Sequence, residues 1–175
     1  LCATIIVAGQ AESFAQSVSA PADKPPSVNP GRPTVTDIAS LTAPGYLEME
    51  TGLNFAGHGP GVTSQYSALA LLKVTDRNAR NEFRISSNAY TFQHLAGGAT
   101  AHGFGDVTLG IQHLLTSQSR GGYDTVVRAE YKAPTAARDI GSGRADYNLM
   151  LLASRDYSPR LHADYNLAAA SLGDP

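Results

Sequence analysis

The feature that most constrains this chain is a two-residue alternation of apolar and polar side chains, sustained over successive runs of about ten residues. A strand turns successive side chains to opposite faces, so period two commits each run to a sheet with one oily and one polar face. Seven runs follow one another: Tyr46–Phe55, Gln65–Thr75, Glu82–Phe92, Asp106–Leu115, Tyr123–Ala133, Ala145–Ser154 and Arg160–Ala170. The breaks hold Gly57-His58-Gly59-Pro60-Gly61, Thr75-Asp76-Arg77-Asn78, Gly97-Gly98, Ser119-Arg120-Gly121-Gly122, Gly141-Ser142-Gly143 and Ser158-Pro159. Such residues supply a positive φ or a fixed one. Breaks near 56–64, 93–105 and 134–144 are longer than those near 76–81 and 155–159. Short turns on one side and longer loops on the other are the habit of outer-membrane barrels, and a first run going outward from a periplasmic leader would put the longer ones outside the cell.

Parity sorts the side chains. In the first run Leu47, Met49, Leu53 and Phe55 share a face with Thr51, against Glu48, Glu50, Gly52 and Asn54. The third sets Phe83, Ile85, Ser87 and Ala89 against Glu82, Arg84, Ser86 and Asn88; the fourth sets Val107, Leu109 and Ile111 against Asp106, Thr108, Gly110 and Gln112. The fifth opposes Val127, Ala129, Tyr131 and Ala133 to Asp124, Arg128, Glu130 and Lys132. In the sixth Tyr147, Leu149, Leu151 and Ala153 oppose Asp146 and Asn148, with Met150 and Leu152 blurring the polar face. The seventh opposes Leu161, Ala163, Tyr165 and Leu167 to His162, Asp164 and Asn166. Only the second is ambiguous, with Tyr66, Ala68, Ala70, Leu72 and Val74 against Gln65, Ser67, Leu69, Leu71 and Lys73. Every charged side chain inside the runs falls on the more polar parity. An Arg or Lys facing lipid at mid-bilayer costs roughly 2–4 kcal/mol, and two misplacements would consume much of a typical folding stability of about 5–15 kcal/mol.

A soluble antiparallel sandwich alternates too, with its apolar face inward. Three details favour a membrane wall. The runs match the roughly 9–11 residues of a tilted transmembrane strand, not the usual 5–6 or so. The apolar faces are thin in large aliphatics and rich in Ala, Thr and Ser. Phe55, Tyr66, Tyr131 and Tyr147 sit on apolar parities at run ends beside the longer loops, as an interfacial aromatic girdle requires. The expected fold is therefore an all-β, antiparallel transmembrane barrel of outer-membrane type, present as a truncated piece of about seven strands forming an open curved sheet. Glu48, Glu50, Lys73, Glu82, Arg84, Asp106, Arg128, Glu130, Lys132, Asp146 and Asp164 would face the lumen. Because both signs are mixed, a salt-bridged, water-filled interior is expected before a selectivity lining.

The ends divide the chain further. Leu1–Ala8 reads as the apolar core of a secretory signal, and Ser13-Phe14-Ala15 places small residues before Gln16 as a cleavage site does. The competing reading is a short buried strand or helix. Residues 1–15 are thus a signal remnant, 16–44 a Pro/Ser/Thr-rich periplasmic leader, extended or mobile, and 45–175 a partial barrel. Cys2, the only cysteine, would leave with the signal, which suits a bacterial periplasm or outer membrane. A net charge of −2 gives no basic footprint for nucleic acid. No stretch of 18 apolar residues follows Gln16, so helical membrane spans are excluded.

The sequence offers little to catalysis. His58, His94 and His102 read as loop histidines, with His113 near a strand end and His162 on a polar strand face; none has metal-ligand spacing. Gly103-Phe104-Gly105 and Gly141-Ser142-Gly143 precede strands, unlike phosphate cradles, which open a helix. A Ser-His-acid site using His162, Asp164 and a serine has no spacing that singles out its nucleophile. No catalytic residue, metal ligand or cofactor is expected.

Three stretches resemble a known family. Gly103–Ile111 (GFGDVTLGI) is similar to the GxGDxTLGL strand of the MetA-pathway of phenol degradation family. Pro33-Thr34-Val35-Thr36-Asp37 with Pro44–Gly52 resembles its opening, and Ala133-Pro134-Thr135 with Gly141–Tyr147 resembles its loop and following strand, with Ala136 where a glycine is usual. The resemblance implies an outer-membrane, transporter-like protein and carries no catalytic residues. The function expected is a passive channel for small solutes, aromatic or hydrophobic ones by the family's name. A non-transporting structural or adhesive barrel and a soluble periplasmic all-β binding protein are the alternatives.

Overall fold

The computed structural model describes residues 37–59, 61–120 and 122–173, so the signal remnant and the leader as far as residue 36 lie outside the described residues. Strands β1 (Leu47–Gly59), β2 (Val62–Thr75), β3 (Asn81–Leu95), β4 (Thr100–Gly103), β5 (Val107–Thr116), β6 (Asp124–Ala133), β7 (Asp146–Ser158) and β8 (Leu161–Ser171) form one sheet. Every pairing is antiparallel, in the order β1-β2-β3-β5-β6-β7-β8, with β4 added beside the far end of β3. Besides strands there is one 3-10 turn, Gln118–Arg120, among the described residues. The all-β antiparallel class and the open curved sheet expected from the alternation are present.

Strand lengths depart from expectation. β1 and β2 stay paired as far as Gly59↔Val62, so the long loop expected near 56–64 is a tight connection. β3 continues to Leu95 and pairs with β4, and Leu95 N–H donates to the Ala99 carbonyl at 2.8 Å, so 93–105 is largely hairpin. His58, His94 and His102 consequently lie in strands, not loops. The reason is physical: a ladder needs only paired backbone groups, whereas alternation is visible only where one face demands apolar side chains. Of the three long breaks, only the one between Ala133 and Asp146 remains a loop.

A bulge corrects the parity of the third run. Ala68 pairs with Tyr90 and Leu69 with Asn88, which leaves Ala89 as the extra residue rather than a member of the apolar face. Beyond it the faces exchange, so Tyr90 and Phe92 follow Phe83 and Ile85, while buried Thr91 and Gln93 follow Glu82 and Arg84. The next strand bends at the same level. Between β4 and β5 the chain kinks at Phe104-Gly105-Asp106, where Gly105 N–H donates to the Asn88 carbonyl at 2.8 Å. Any Cβ on Gly105 would lie 2.7 Å from that of Asn88, which explains the glycine.

The register also fixes the stagger. Leu47 stands level in turn with Val74, Phe83, Ile111, Ala129, Leu149 and finally Ala169, eight residues beyond the start of β8 at Leu161. Eight residues of rise over six inter-strand steps incline the strands by about 40° to the line of their ends, taking about 3.3 Å per residue and 4.8 Å per strand. That is a barrel's tilt.

Curvature is visible in a segment that sequence reading assigned to the trailing leader. Asp37–Thr42 is bound across the concave face as a strap. In the amide orientation its neighbours require, Asn166 of β8 accepts from Asp37 N–H at 2.6 Å. Ala39 N–H donates to Ser154 of β7, Gln112 of β5 donates to the Ser40 carbonyl, and Thr42 reaches Glu82 of β3 and Glu48 of β1. Laid flat, β1 and β8 would stand about 29 Å apart, whereas five residue steps span at most about 18 Å. The sheet bends round the strap. Ala39 forms the small apolar core with Val126, Met150 and Leu152, flanked by Leu41 and Leu114.

Candidate functional site

The wall is inside out relative to a water-soluble sheet. The largest fully buried side chains are Leu152 and Val126 of the small core together with the polar Gln112, Glu82 and Thr91, whereas Leu53 and Leu167 on the convex side are 69% and 71% exposed. Large apolar side chains are ordinarily the buried ones. Here the buried face is the charged one, and the ambiguous second run resolves in that sense: Lys73, Leu71 and Ser67 are buried, while Tyr66 and Val74 are exposed.

Cross-strand register gathers the expected polar residues into groups on the concave face. Lys73, opposite Glu48, lies 2.5 Å from both the Glu48 and the Glu50 carboxylates. Near the lower end of β3, Glu82 takes Arg84 Nη1 at 3.0 Å and the Thr42 N–H at 2.6 Å. Arg128, opposite Gln112, donates from Nε to its Oε1 at 2.8 Å and meets the Asp37 carboxylate at 3.1 Å; Glu130 is 3.9 Å away. At the upper rim Lys132 bridges Asp146 at 2.5 Å and Asp106 at 3.5 Å. Asp164 stands apart from the other expected residues, near the lower rim, where it accepts from Ser154 Oγ at 2.6 Å. These charges are not a ring. They are local clusters in which each cation has a carboxylate within reach, and a buried charge is tolerable only when so paired.

Between the clusters lies a cavity of about 330 Å³, lined by Arg84, Arg128, Glu50, Glu130, Asn148 and Asp37 among others. Gly110 is part of its floor, and a Cβ there would come within 3.3–3.4 Å of Glu130 and Arg84. Asn148 Oδ1 is buried in this region without a hydrogen-bond partner.

The expected aromatic band is on the convex face. The Phe55 and Tyr66 rings lie 4.8 Å apart and those of Tyr131 and Tyr147 5.3 Å apart, all exposed at the end that carries the Ala133–Asp146 loop. Sequence reading missed a second band at the opposite end. There the hydroxyls of Tyr123, Tyr157 and Tyr165 are linked at 2.8 and 3.2 Å, and the Arg155 guanidinium lies 5.1 and 5.0 Å from the Tyr123 and Tyr157 ring centres. Tyr165 on its apolar parity was the available signal; Tyr157 lay past the end of its run. Asp37 and Ser154 were missed as well, since nothing local marks a contact across the sheet.

His162 lies between Asp156 at 2.7 Å and Asp164 at 2.9 Å, and Ser154 donates to Asp164, so this serine's proton points at a carboxylate rather than at the imidazole. His113 Nδ1 is 2.7 Å from Asn81 Oδ1. Outside the sheet, in the β2–β3 turn, Asp76 accepts from Arg80 N–H, Asn81 Nδ2 and Asn81 N–H. Those bonds, Arg80's first, hold its carboxyl below the usual value of 3.8.

Fold and site together define a class: an antiparallel half-barrel wall with a charged, strapped concave face and an oily convex one. No protein family, curated protein or solved structure matches the chain.

Proposed function

We propose that the chain is the wall of a bacterial outer-membrane β-barrel whose concave face borders a passage for small solutes, crossed by passive diffusion. The reading rests on one observation above all: ionisable side chains are buried and paired on the concave face while large apolar ones cover the convex face. Water-soluble domains do not keep so extended an apolar surface exposed. The two aromatic bands add a dimension. Tyr157 is the extra residue of a bulge and is placed on Tyr147's face by its hydroxyl contact with Tyr165; the two lie ten residues apart on β7, at most about 33 Å along the strand. At the incline above, that is about 25 Å across the wall, the height of the apolar band of outer-membrane barrels. The motif resemblance to the MetA-pathway family agrees, and makes aromatic or hydrophobic compounds the first solutes to try.

The full-length chain is expected to stay in the membrane pellet after an alkaline wash and to give discrete conductance in planar bilayers. Recovery in water without detergent would refute the membrane reading. Stable insertion without conductance or solute flux would refute the passage alone. It would favour a second reading, a non-transporting structural barrel, which the strap and its apolar contacts inside the wall support.

A further inference from the structure

The strap shows what the concave face can hold. Arg128 is directly opposite Met150 across β6 and β7, and Val126 is opposite Leu152 two residues further down the same face. The backbone position that carries the buried arginine is therefore about 7 Å, the rise of two strand residues, from the one that carries Val126, so charge and apolar patch adjoin on one face. The strap matches that pattern. Its Asp37 carboxylate meets Arg128, and Ala39, two residues on, is buried against Val126, Met150 and Leu152.

The two partners at the charged end are unequal. The Arg128 side chain is 4% exposed and oriented by Gln112, whereas the Asp37 side chain is 37% exposed. Arginine's planar fork suits carboxylates, so the protein supplies the oriented half of the pair and the strap the exchangeable half. Asp37 also borders the cavity of about 330 Å³, with the hydroxyl-bearing Ser86 and Thr108 on its lining. That volume lies at the small end of ligand cavities, about 300–1,000 Å³.

We infer that the inner face of β6 and β7 is a binding site for a small carboxylate with a short apolar body, which Asp37–Ala39 occupies as a tethered stand-in until such a solute displaces it. The inference rests on the concave face being open to solutes, as proposed above, and it adds the solute's chemical class. Glu130, 3.9 Å from Arg128, and Glu50 on the cavity wall set a limit. They disfavour dianions and leave room for a single negative charge.

The chain carries its own probes. Of its two methionines, Met150 lies in the site and Met49 on the convex face. With ¹³C-methyl methionine and the full chain in micelles, hexanoate is expected to shift Met150 saturably, while Met49 reports only partition into detergent. Asp37→Asn weakens the tethered competitor and should tighten hexanoate binding severalfold; Arg128→Gln should abolish it. Acetate, which lacks the body, and hexan-1-ol, which lacks the charge, should leave Met150 unsaturated over the same range. No saturable shift in either wild type or Asp37→Asn overturns the site, as does equal binding of hexan-1-ol. Unchanged affinity in Asp37→Asn overturns the stand-in role, even if the Arg128 variant does not fold. Hexanoate binding without conductance would sink the passage alone; conductance without hexanoate binding would sink this inference alone.

Discussion

Replacing Leu151 by arginine separates a lipid-facing wall from a water-facing one. Leu151 is on the exposed face of β7, four residues from Tyr147 and six from Tyr157, level with exposed Leu167. On the proposed incline it lies about 10 Å inside a band about 25 Å high, near mid-membrane. An arginine there should cost roughly 2–4 kcal/mol of folding stability in a bilayer, about 30-fold to 700-fold in the folding constant. At a water-exposed position the change would stay within about 0.5 kcal/mol. Depth supplies the control: Leu161→Arg, at the lower end of β8, should cost at most about 1 kcal/mol. Natural Arg155 occupies the same face of β7 beside the lower tyrosines, which is where such a charge is tolerated. With no tryptophan in the chain, guanidinium unfolding from lipid vesicles is best followed by circular dichroism. If Leu151→Arg and Leu161→Arg unfold at the same denaturant concentration as wild type in bilayers, the convex face does not meet lipid.

Three further outcomes are expected. Glu82→Ala removes a carboxylate that is 1% exposed and serves both Arg84 and the strap's Thr42, so it should cost about 3–5 kcal/mol in chemical unfolding; a loss under about 1 kcal/mol would deny the cluster a structural role. Gly105→Ala forces a Cβ to within 2.7 Å of the Asn88 Cβ and 3.0 Å of its carbonyl oxygen, and should lower stability by about 1–3 kcal/mol, read as a lower melting midpoint. For Asp76 the folded carboxyl titrates below 3.8, so its contribution to stability is present above that pH and is lost as pH falls through the lower folded value. A carboxyl-carbon NMR titration of Asp76 with its midpoint at or above 3.8 would contradict the turn geometry.

What the sequence disclosed followed the reach of its repeating signal. Alternation is written wherever one face demands apolar atoms, so Leu47, Leu109 and Leu149 announced the convex side and Glu82, Arg128 and Lys132 the concave one. It fell silent at Ala56–Gly59 and over β4, where pairing continues without an apolar demand and loops were expected instead. A single extra residue at Ala89 reversed a face with no change of composition. The strap was hidden for another reason. Ala39 and Thr42 bond to residues 115, 40 or 6 positions away, and in a stretch rich in proline and threonine no local pattern tells a bound segment from a free one.

The same wall carries a demand of its own. β1 and β8 each lack a neighbour on their outer edge among the described residues, and with seven strands in alternating directions the two edges run the same way. Unpaired backbone groups in hydrocarbon cost several kcal/mol each, so open edges do not survive in a bilayer. On the proposed membrane reading, antiparallel closure of this wall takes an odd number of strands beyond those described, one being enough for an even-numbered barrel. The number decides the chemistry as well as the shape. With one added strand the strap and the charge clusters would fill an interior of the size that side chains alone can pack; with several, the strap would lie against one wall of a wider channel. Conductance that is absent in the full chain and appears when Asp37→Asn loosens the strap would identify the first case, and conductance indifferent to Asp37 the second.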